Sequence, residues 1–168
     1  MRKIAAILVM ALFGLAILTQ PARAEQKFAY VDLSRLFSEY GKTKDFDKTL
    51  SEKESTYTAE REKKVNDVKQ FQDKINLLSE KEKAEKKTEL ENKVKALNDF
   101  DRDKQTDLKK EQDEKMREIL KDIEEAVKKY SEKEGFTMVF NDRVLVYQDK
   151  TLDITEKVME ILNKGYKK

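Results

Sequence analysis

The chain has 168 residues, of which 36 are basic and 34 acidic, and it contains no cysteine and no histidine. The lack of cysteine excludes disulfides, thiolate metal sites and a lipidated amino-terminal cysteine, and the lack of histidine removes the usual acid–base group near neutral pH. The sequence also carries no phosphate-cradling glycine loop. It therefore predicts no catalytic residues, no metal site, no cofactor and no enzymatic activity.

Residues 1–24 have the pattern of a secretory signal. A short basic stretch precedes an uncharged apolar run over residues 4–18, and Ala22-Arg23-Ala24 then has the small-x-small form of a signal peptidase site. The alternative, an uncleaved anchor, is less favoured because the run is shorter than the roughly 20 residues that span a bilayer. We expect a signal peptide that is cleaved after Ala24 and exports the protein to the periplasm.

Removal of the signal changes the charge balance. Residues 1–24 carry three basic residues and no acidic one, so the net charge falls from +2 for the whole chain to −1 for the mature chain. Nucleic-acid binding usually requires a basic excess, so nucleic acid is not expected as the main partner. The dense charge instead indicates solvent-facing ion pairs on helices.

A strand and a short helix are predicted at the start of the mature chain. Residues 28–33 are apolar, aromatic and β-branched, which is typical of a strand buried on both faces. Ser34 is placed to cap a short helix, and Gly41 allows the chain to break or bend after it.

Residues 42–134 are predicted to form a helical hairpin. They contain neither glycine nor proline, the two residues that weaken helices most. A single helix of this length would extend about 140 Å, whereas a hairpin lets each helix bury its thin apolar stripe on the other. We expect the turn within residues 78–88, where apolar residues are sparsest and Ser79 and Glu82 fit a capping box.

The apolar seam of this hairpin is expected to be thin. Asp101 and Lys104 fall where apolar residues would continue the pattern. A seam of this kind holds two helices only marginally, so the hairpin should be flexible, most of all far from its base.

The chain returns to strand character after Gly135. Residues 136–140 and 144–147 are predicted as two strands joined by a tight turn at Asn141-Asp142. A last helix is expected to begin near Asp153. Its apolar side is predicted to carry Ile154, Val158, Ile161 and Leu162.

The predicted fold class is therefore α+β. A small antiparallel β body, built from residues 25–41 and 135–168, carries the inserted helical hairpin of residues 42–134. A body of about 40 residues is too small to be stable alone without disulfides or metal, so we expect it to be an oligomerisation body. The residues expected to form it are apolar or aromatic: Phe28, Tyr30, Val31, Phe136, Met138, Phe140, Val144 and Val146.

Residues 28–40, the long charged hairpin, and residues 136–140 followed by Tyr147 and Asp153-Ile154-Thr155 together resemble the Skp/OmpH family of periplasmic chaperones. The resemblance covers essentially all of the mature chain. It implies a homotrimer in which a β-rich hub carries three helical, coiled-coil-like arms around a cavity. It further implies a holdase that works without ATP and keeps unfolded outer-membrane β-barrel proteins from aggregating.

Client contacts are expected from apolar residues of the arms, namely Phe71, Leu77, Leu78 and Phe100. Phe71 and Leu78 also suit packing between the two helices. Leu77 and Phe100 have neighbours that leave them outside a regular seam, which favours exposed positions for them.

The lysines near the expected tip, Lys81, Lys83, Lys86 and Lys87, suggest at most a weak contact with a membrane surface or lipopolysaccharide. Glutamates alternate with them, and such a run is usually a solvated helix face. Some members of the family have strongly basic arms, and this near-neutral chain departs from them. The competing functional class is a structural coiled-coil scaffold or spacer of the envelope, but a spacer would be expected to have long regular heptads.

Overall fold

The computed structural model describes residues 26–166. The predicted signal, residues 1–24, lies outside the described residues. The elements in chain order are β1 (Phe28–Val31), α1 (Leu33–Glu39), α2 (Gly41–Asn76), α3 (Glu80–Glu134), β2 (Met138–Asn141) and α4 (Thr155–Gly165). Two 3₁₀ turns, Asp142–Val144 and Lys150–Leu152, lie between β2 and α4.

The predicted α+β class, with a helical hairpin inserted into a small body, is confirmed. β1 and β2 pair across the hairpin, with Ala29 opposite Val139 and Tyr30 opposite Phe140. The antiparallel pairing predicted for the body is wrong, because these two strands are parallel. Parallel strands need a long crossover connection, and here the whole segment from α1 to the end of α3 provides it.

Residues 144–147, predicted as the second strand of a β-hairpin, form no strand. Asn141 and Asp142 do not make a two-residue hairpin turn. Instead, Oδ1 of Asn141 accepts a hydrogen bond from the backbone N–H of Arg143 (3.4 Å) and starts the first 3₁₀ turn. The chain meets β1 again only later, where the backbone N–H of Ile154 donates to the carbonyl oxygen of Tyr30 (3.0 Å).

The turn between α2 and α3 occupies residues 77–79 and overlaps the predicted range of 78–88 only at its first two residues. The rest of that range is helical, since its glutamates, lysines and alanine are good helix formers. The backbone N–H of Ser79 donates to Oε2 of Glu82 (3.0 Å), and its hydroxyl donates to the same oxygen (2.5 Å). These bonds lower the pKa of Glu82 and fix the start of α3.

α1 begins at Leu33. The prediction that Ser34 caps this helix is therefore wrong. Asp32 has that role, because its Oδ1 accepts a hydrogen bond from the backbone N–H of Arg35 (2.8 Å). The backbone N–H of Asp32 donates in turn to Oγ1 of Thr155 (2.9 Å). One residue therefore ties the start of α1 to the start of α4.

The core lies where the last part of α3 meets β1, α1 and α4. Each fully buried aliphatic side chain in this core contributes about 1.5–3 kcal/mol to folding stability relative to an exposed position. α3 contributes side chains to the core and continues into the hairpin. The packing of the core therefore sets the direction in which the hairpin projects. The buried cluster consists of Ala29, Val31, Leu36, Tyr40, Ile119, Ile123, Ala126, Ile154, Val158, Met159 and Leu162.

Candidate functional site

Two antiparallel helices form an arm that projects from the core. α2 has 36 residues and α3 has 55, which correspond to about 54 Å and about 83 Å. Most apolar side chains in the seam are half-buried, among them Val65, Val68 and Leu97, whereas Ile75 near the tip is buried. The two helices are therefore held by many weak contacts along their length.

A polar cluster occupies the seam in the middle of the arm. The hydroxyl of Tyr57 donates to Oδ1 of Asp101 (3.2 Å), and Nε of Arg61 donates to Oδ2 of the same carboxylate (3.0 Å). The hydrogen bond and the charge of Asp101 raise the pKa of Arg61. Asp101, the residue that interrupts the apolar pattern, therefore lies in the seam and has partners there.

An open cleft of about 500 Å³ lies between the two helices next to this cluster. Thr49 and Thr56 line it, and their small side chains leave the space between the helices unfilled. Nζ of Lys53 lies 2.6 Å from Oε1 of Glu111 and joins the two helices at the cleft. The space between the two helices is therefore not filled at this cleft.

The four arm residues predicted to contact a client are not brought together. Leu77 lies in the turn at the tip and is 87% exposed, while Leu78 beside it is half-buried. Phe71 and Phe100 are half-buried, each with a lysine ammonium over its ring at 5.1 Å and 4.9 Å from the centroid. Of the four, Leu77 presents the most open apolar side chain, and the exposed position predicted for Phe100 is not observed.

Two of the four tip lysines pair with nearby glutamates on α3. Nζ of Lys83 lies 2.7 Å from Glu80, and Nζ of Lys86 lies 2.9 Å from Glu89. Both pairs are separated by three residues and lie on the helix surface, where such pairs contribute only a few tenths of a kcal/mol. They reduce the positive charge that the tip presents.

The small sheet and the segment that follows β2 carry a group of exposed apolar side chains, here called the hub face. β2 has a free edge, since no strand among the described residues pairs with its side away from β1. Exposed apolar side chains in such number on a small body mark an interaction surface. The hub face consists of Phe28, Met138, Phe140, Val144, Val146 and Tyr147.

The residues predicted for the oligomerisation body divide into two groups. Tyr30 and Val31 are buried in the core of their own chain, and Phe136 stacks on Tyr130 with ring centroids 6.2 Å apart. These three stabilise the single chain. The other five lie on the hub face: Phe28, Met138, Phe140, Val144 and Val146.

A charge cluster that the sequence did not predict joins the start of α2 to α3. Nζ of Lys42 lies 2.6 Å from Glu118 and 2.7 Å from Asp122, and the hydroxyl of Tyr40 donates to Asp122 (3.1 Å). Hydrogen bonds from Lys115 and Lys42 lower the pKa of Glu118 to about 2. Burial and the bond to Asp122 raise the pKa of Tyr40 to about 12. Burial by itself would lower the pKa of Lys42. The hydrogen bonds and charges of Asp122 and Glu118 outweigh burial, so the pKa of Lys42 is raised.

Residues 26–166 include no group of three or more acidic side chains placed to hold a metal ion. No helix in this part of the chain is both long enough and apolar enough to cross a membrane. The surface offers exposed aliphatic side chains, half-buried aromatic rings and ion pairs, and these are the means by which the arm and the hub face can interact with another molecule.

Comparison with known proteins identifies the family. The family model for OmpH-like outer membrane proteins matches residues 27–162. The chaperone protein Skp of Yersinia enterocolitica is 28% identical over 151 residues, which cover 88% of this chain and 92% of that protein. The crystal structure of an OmpH-like outer membrane chaperone from Caulobacter crescentus CB15 superposes with a TM-score of 0.77 at 11% identity, over 88% of each chain.

The structural likeness, at such low identity, shows the fold, and the family match covers most of the chain from the start of β1 into α4. The chain therefore belongs to the OmpH/Skp-like family of outer membrane chaperones.

Proposed function

We propose that this protein is an ATP-independent holdase of the periplasm that binds unfolded outer-membrane β-barrel proteins between its helical arms. The observation that carries the proposal is a long, charged, loosely seamed arm on a body that exposes the hub face. An unfolded barrel protein exposes apolar side chains and unpaired strand edges, through which it aggregates. Weak contacts spread along an arm can hold such a chain and still release it. The proposal includes no catalytic step and no cofactor.

Three copies that associate through their hub faces would surround one cavity with three arms. Val146 is fully exposed and Val144 is 68% exposed in the single chain, and burial of each valine would contribute about 1.5 kcal/mol. The free edge of β2 would also gain hydrogen-bonding partners. A body this small has few other ways to remove its apolar surface from water.

Residues 1–24, with the pattern of a secretory signal, support the periplasmic location. Within the arm, we assign the first client contact to Leu77 at the tip. Phe71 and Phe100 would become available where the seam opens, and Leu78 next to the turn would follow. Contact of the tips with a membrane surface or lipopolysaccharide has only a weak part in this proposal, because Lys83 and Lys86 already have acidic partners.

The test is the aggregation of an outer-membrane barrel protein diluted from urea and followed by light scattering. We expect the mature protein to suppress scattering without ATP, with the full effect near one trimer per client. A coiled-coil scaffold or spacer would leave the scattering unchanged, and that result would overturn the proposal.

A pair of tip variants locates the contact. Leu77→Ser removes the most exposed apolar side chain of the arm, and Lys81→Ser is the matched control on the next turn. Both should change the free energy of unfolding by less than about 0.5 kcal/mol, since neither side chain is buried. We expect weaker suppression by Leu77→Ser alone, and equal suppression by the two variants would remove the tip from the client-binding surface.

A further inference from the structure

The end of α4 contacts the start of α2, the first helix of the arm. The backbone N–H of Gly41 donates to Oδ1 of Asn163 (2.9 Å). One turn further along α2, Oδ2 of Asp45 accepts a hydrogen bond from the hydroxyl of Tyr166 (3.0 Å). The ring of Tyr166 also packs edge-on against Tyr40, with centroids 5.7 Å apart. Two side chains from the body thus hold the first turn of the arm.

The sequence around the start of α2 does not supply this support itself. The first N–H groups of a helix lack partners within the helix and usually bond to a Ser, Thr, Asp or Asn at the cap. The cap residue here is Tyr40, whose side chain makes no capping hydrogen bond, and the first turn carries no acidic residue. Asn163 provides the acceptor from 122 residues further along the chain.

Gly41 permits this close approach. A Cβ atom at residue 41 would lie 3.2 Å from Oδ1 of Asn163 and 3.3 Å from Cδ1 of Tyr166, which is tighter than most Cβ contacts. A larger residue would push Asn163 and Tyr166 away from α2. On its other side the start of α2 is held to α3, through Lys42 and its partners Glu118 and Asp122.

An arm of two helices bends most easily when one helix slides along the other. Here α2 and α3 are joined at the tip by residues 77–79, and α3 is fixed in the core by Ile119 and Ile123. When the start of α2 is fixed as well, sliding is blocked and bending must deform the helices themselves. A weaker hold on this start would let α2 shift further along α3, and the arm would bend more easily.

We propose that Asn163 and Tyr166 form a root clamp that fixes the start of α2 and thereby sets the stiffness of the arm. Both are positioning residues, since they act on the arm through α2 and need not touch a client. The consequence for capture, a limit on the size of client that the cavity admits, rests on the proposed function. The effect of the clamp on the stiffness of the arm does not depend on the proposed function.

The test compares four proteins. The clamp variant combines Asn163→Ala with Tyr166→Phe, which removes both hydrogen bonds but keeps the ring on Tyr40. Asn163→Asp retains an acceptor for the N–H of Gly41, and Lys164→Ala changes an exposed neighbour on the same helix. The fourth protein is the wild type.

The readout is an intramolecular distance. Since the chain has no cysteine, Ser38→Cys on α1 and Lys95→Cys on the arm place two spin labels in each of the four backgrounds. Labelled chains are diluted among unlabelled ones, and pulsed electron paramagnetic resonance gives the distance distribution without any client. Hydrogen exchange of the amides in residues 41–45 and 155–162 is measured on the same proteins.

We expect the clamp variant to broaden the distance distribution and to speed exchange at residues 41–45 roughly five- to ten-fold, with residues 155–162 unchanged. Asn163→Asp and Lys164→Ala should match the wild type. Faster exchange with an unchanged distribution would make these residues a local helix cap only and would overturn the proposal, as would no change in either quantity.

A separate capture assay addresses the consequence. With a small and a large unfolded barrel protein, the clamp variant should shift capture toward the larger client. If neither the wild type nor the variant captures either protein, the proposed function fails, while the distance measurement still decides whether the clamp stiffens the arm.

Discussion

Lys42 joins the start of α2 to α3, and the sequence did not single it out. Its ammonium lies between two carboxylates of α3, and its side chain is only 20% exposed. Helical spacing relates Lys42 to its neighbours on α2, but its partner Asp122 is 80 residues away. Among 36 basic and 34 acidic residues, no local pattern distinguishes this lysine, so the cluster could not be predicted.

The same cluster makes stability depend on pH through Glu118. Its pKa is about 2 in the folded protein against 4.5 ordinarily, so the unfolded chain binds this proton more readily. The stabilisation is therefore complete above about pH 4.5 and is lost as the pH falls toward about 2. The Glu118 side chain is 43% exposed, and solvent therefore screens its ion pairs. We expect them to contribute about 1 kcal/mol to the free energy of unfolding.

Urea unfolding of wild type and Glu118→Gln at about pH 6 and about pH 3 tests this dependence. We expect the variant to be less stable by about 1 kcal/mol at the higher pH and the difference to shrink at the lower one. Glu125→Gln, which removes an exposed pair with Lys121 at 3.8 Å, is the matched control and should cost less than about 0.5 kcal/mol. A difference that stays constant with pH would contradict the assignment.

At the scale of elements, the helices could be predicted and the strand pairing could not. The hairpin follows from the 93 residues without glycine or proline between Gly41 and Gly135. Residues 144–147 have strand-like composition, but a strand also needs a neighbour that supplies hydrogen bonds, and β2 pairs with β1 only as far as Asn141. β-branched and aromatic residues suit an association surface equally well, and composition does not separate the two.

At Asp101, in the seam between α2 and α3, the sequence pattern also failed to predict a tertiary contact. Asp101 was recognised as a break in the apolar pattern, but the spacing did not reveal that Tyr57 and Arg61 would bond to it. We expect Asp101→Leu to stabilise the arm by about 1 kcal/mol, because a leucine in the seam gains apolar burial whereas the ion pair with a half-exposed Arg61 contributes little.

Hydrogen exchange of the amides on either side of residue 101 measures this effect, which should appear as slower exchange across both helices of the arm. Asp103→Leu is the control, because the Asp103 side chain is 70% exposed and a leucine there adds no seam contact. Faster exchange in Asp101→Leu would mean that the polar cluster stabilises the arm more than apolar packing would.

At the scale of the whole molecule, one chain forms a core of its own and still exposes the hub face. The prediction that the body associates treated all its apolar residues alike, because apolar composition does not separate a core from an interface. The structure divides them: Tyr30 and Val31 are buried, whereas Met138, Val144 and Val146 remain exposed. The proposed function depends on association through the second group, with the arms around a shared cavity.

Native mass spectrometry of the mature protein, alone and after one unfolded barrel protein is added, measures how many chains the assembly contains. We predict three chains in the free protein and three chains plus one client in the complex. Val146→Asp, which places a charge on the hub face, should dissociate the assembly, whereas Lys150→Asp at another exposed position should leave it intact. A folded monomer that captures client unaided would contradict the account.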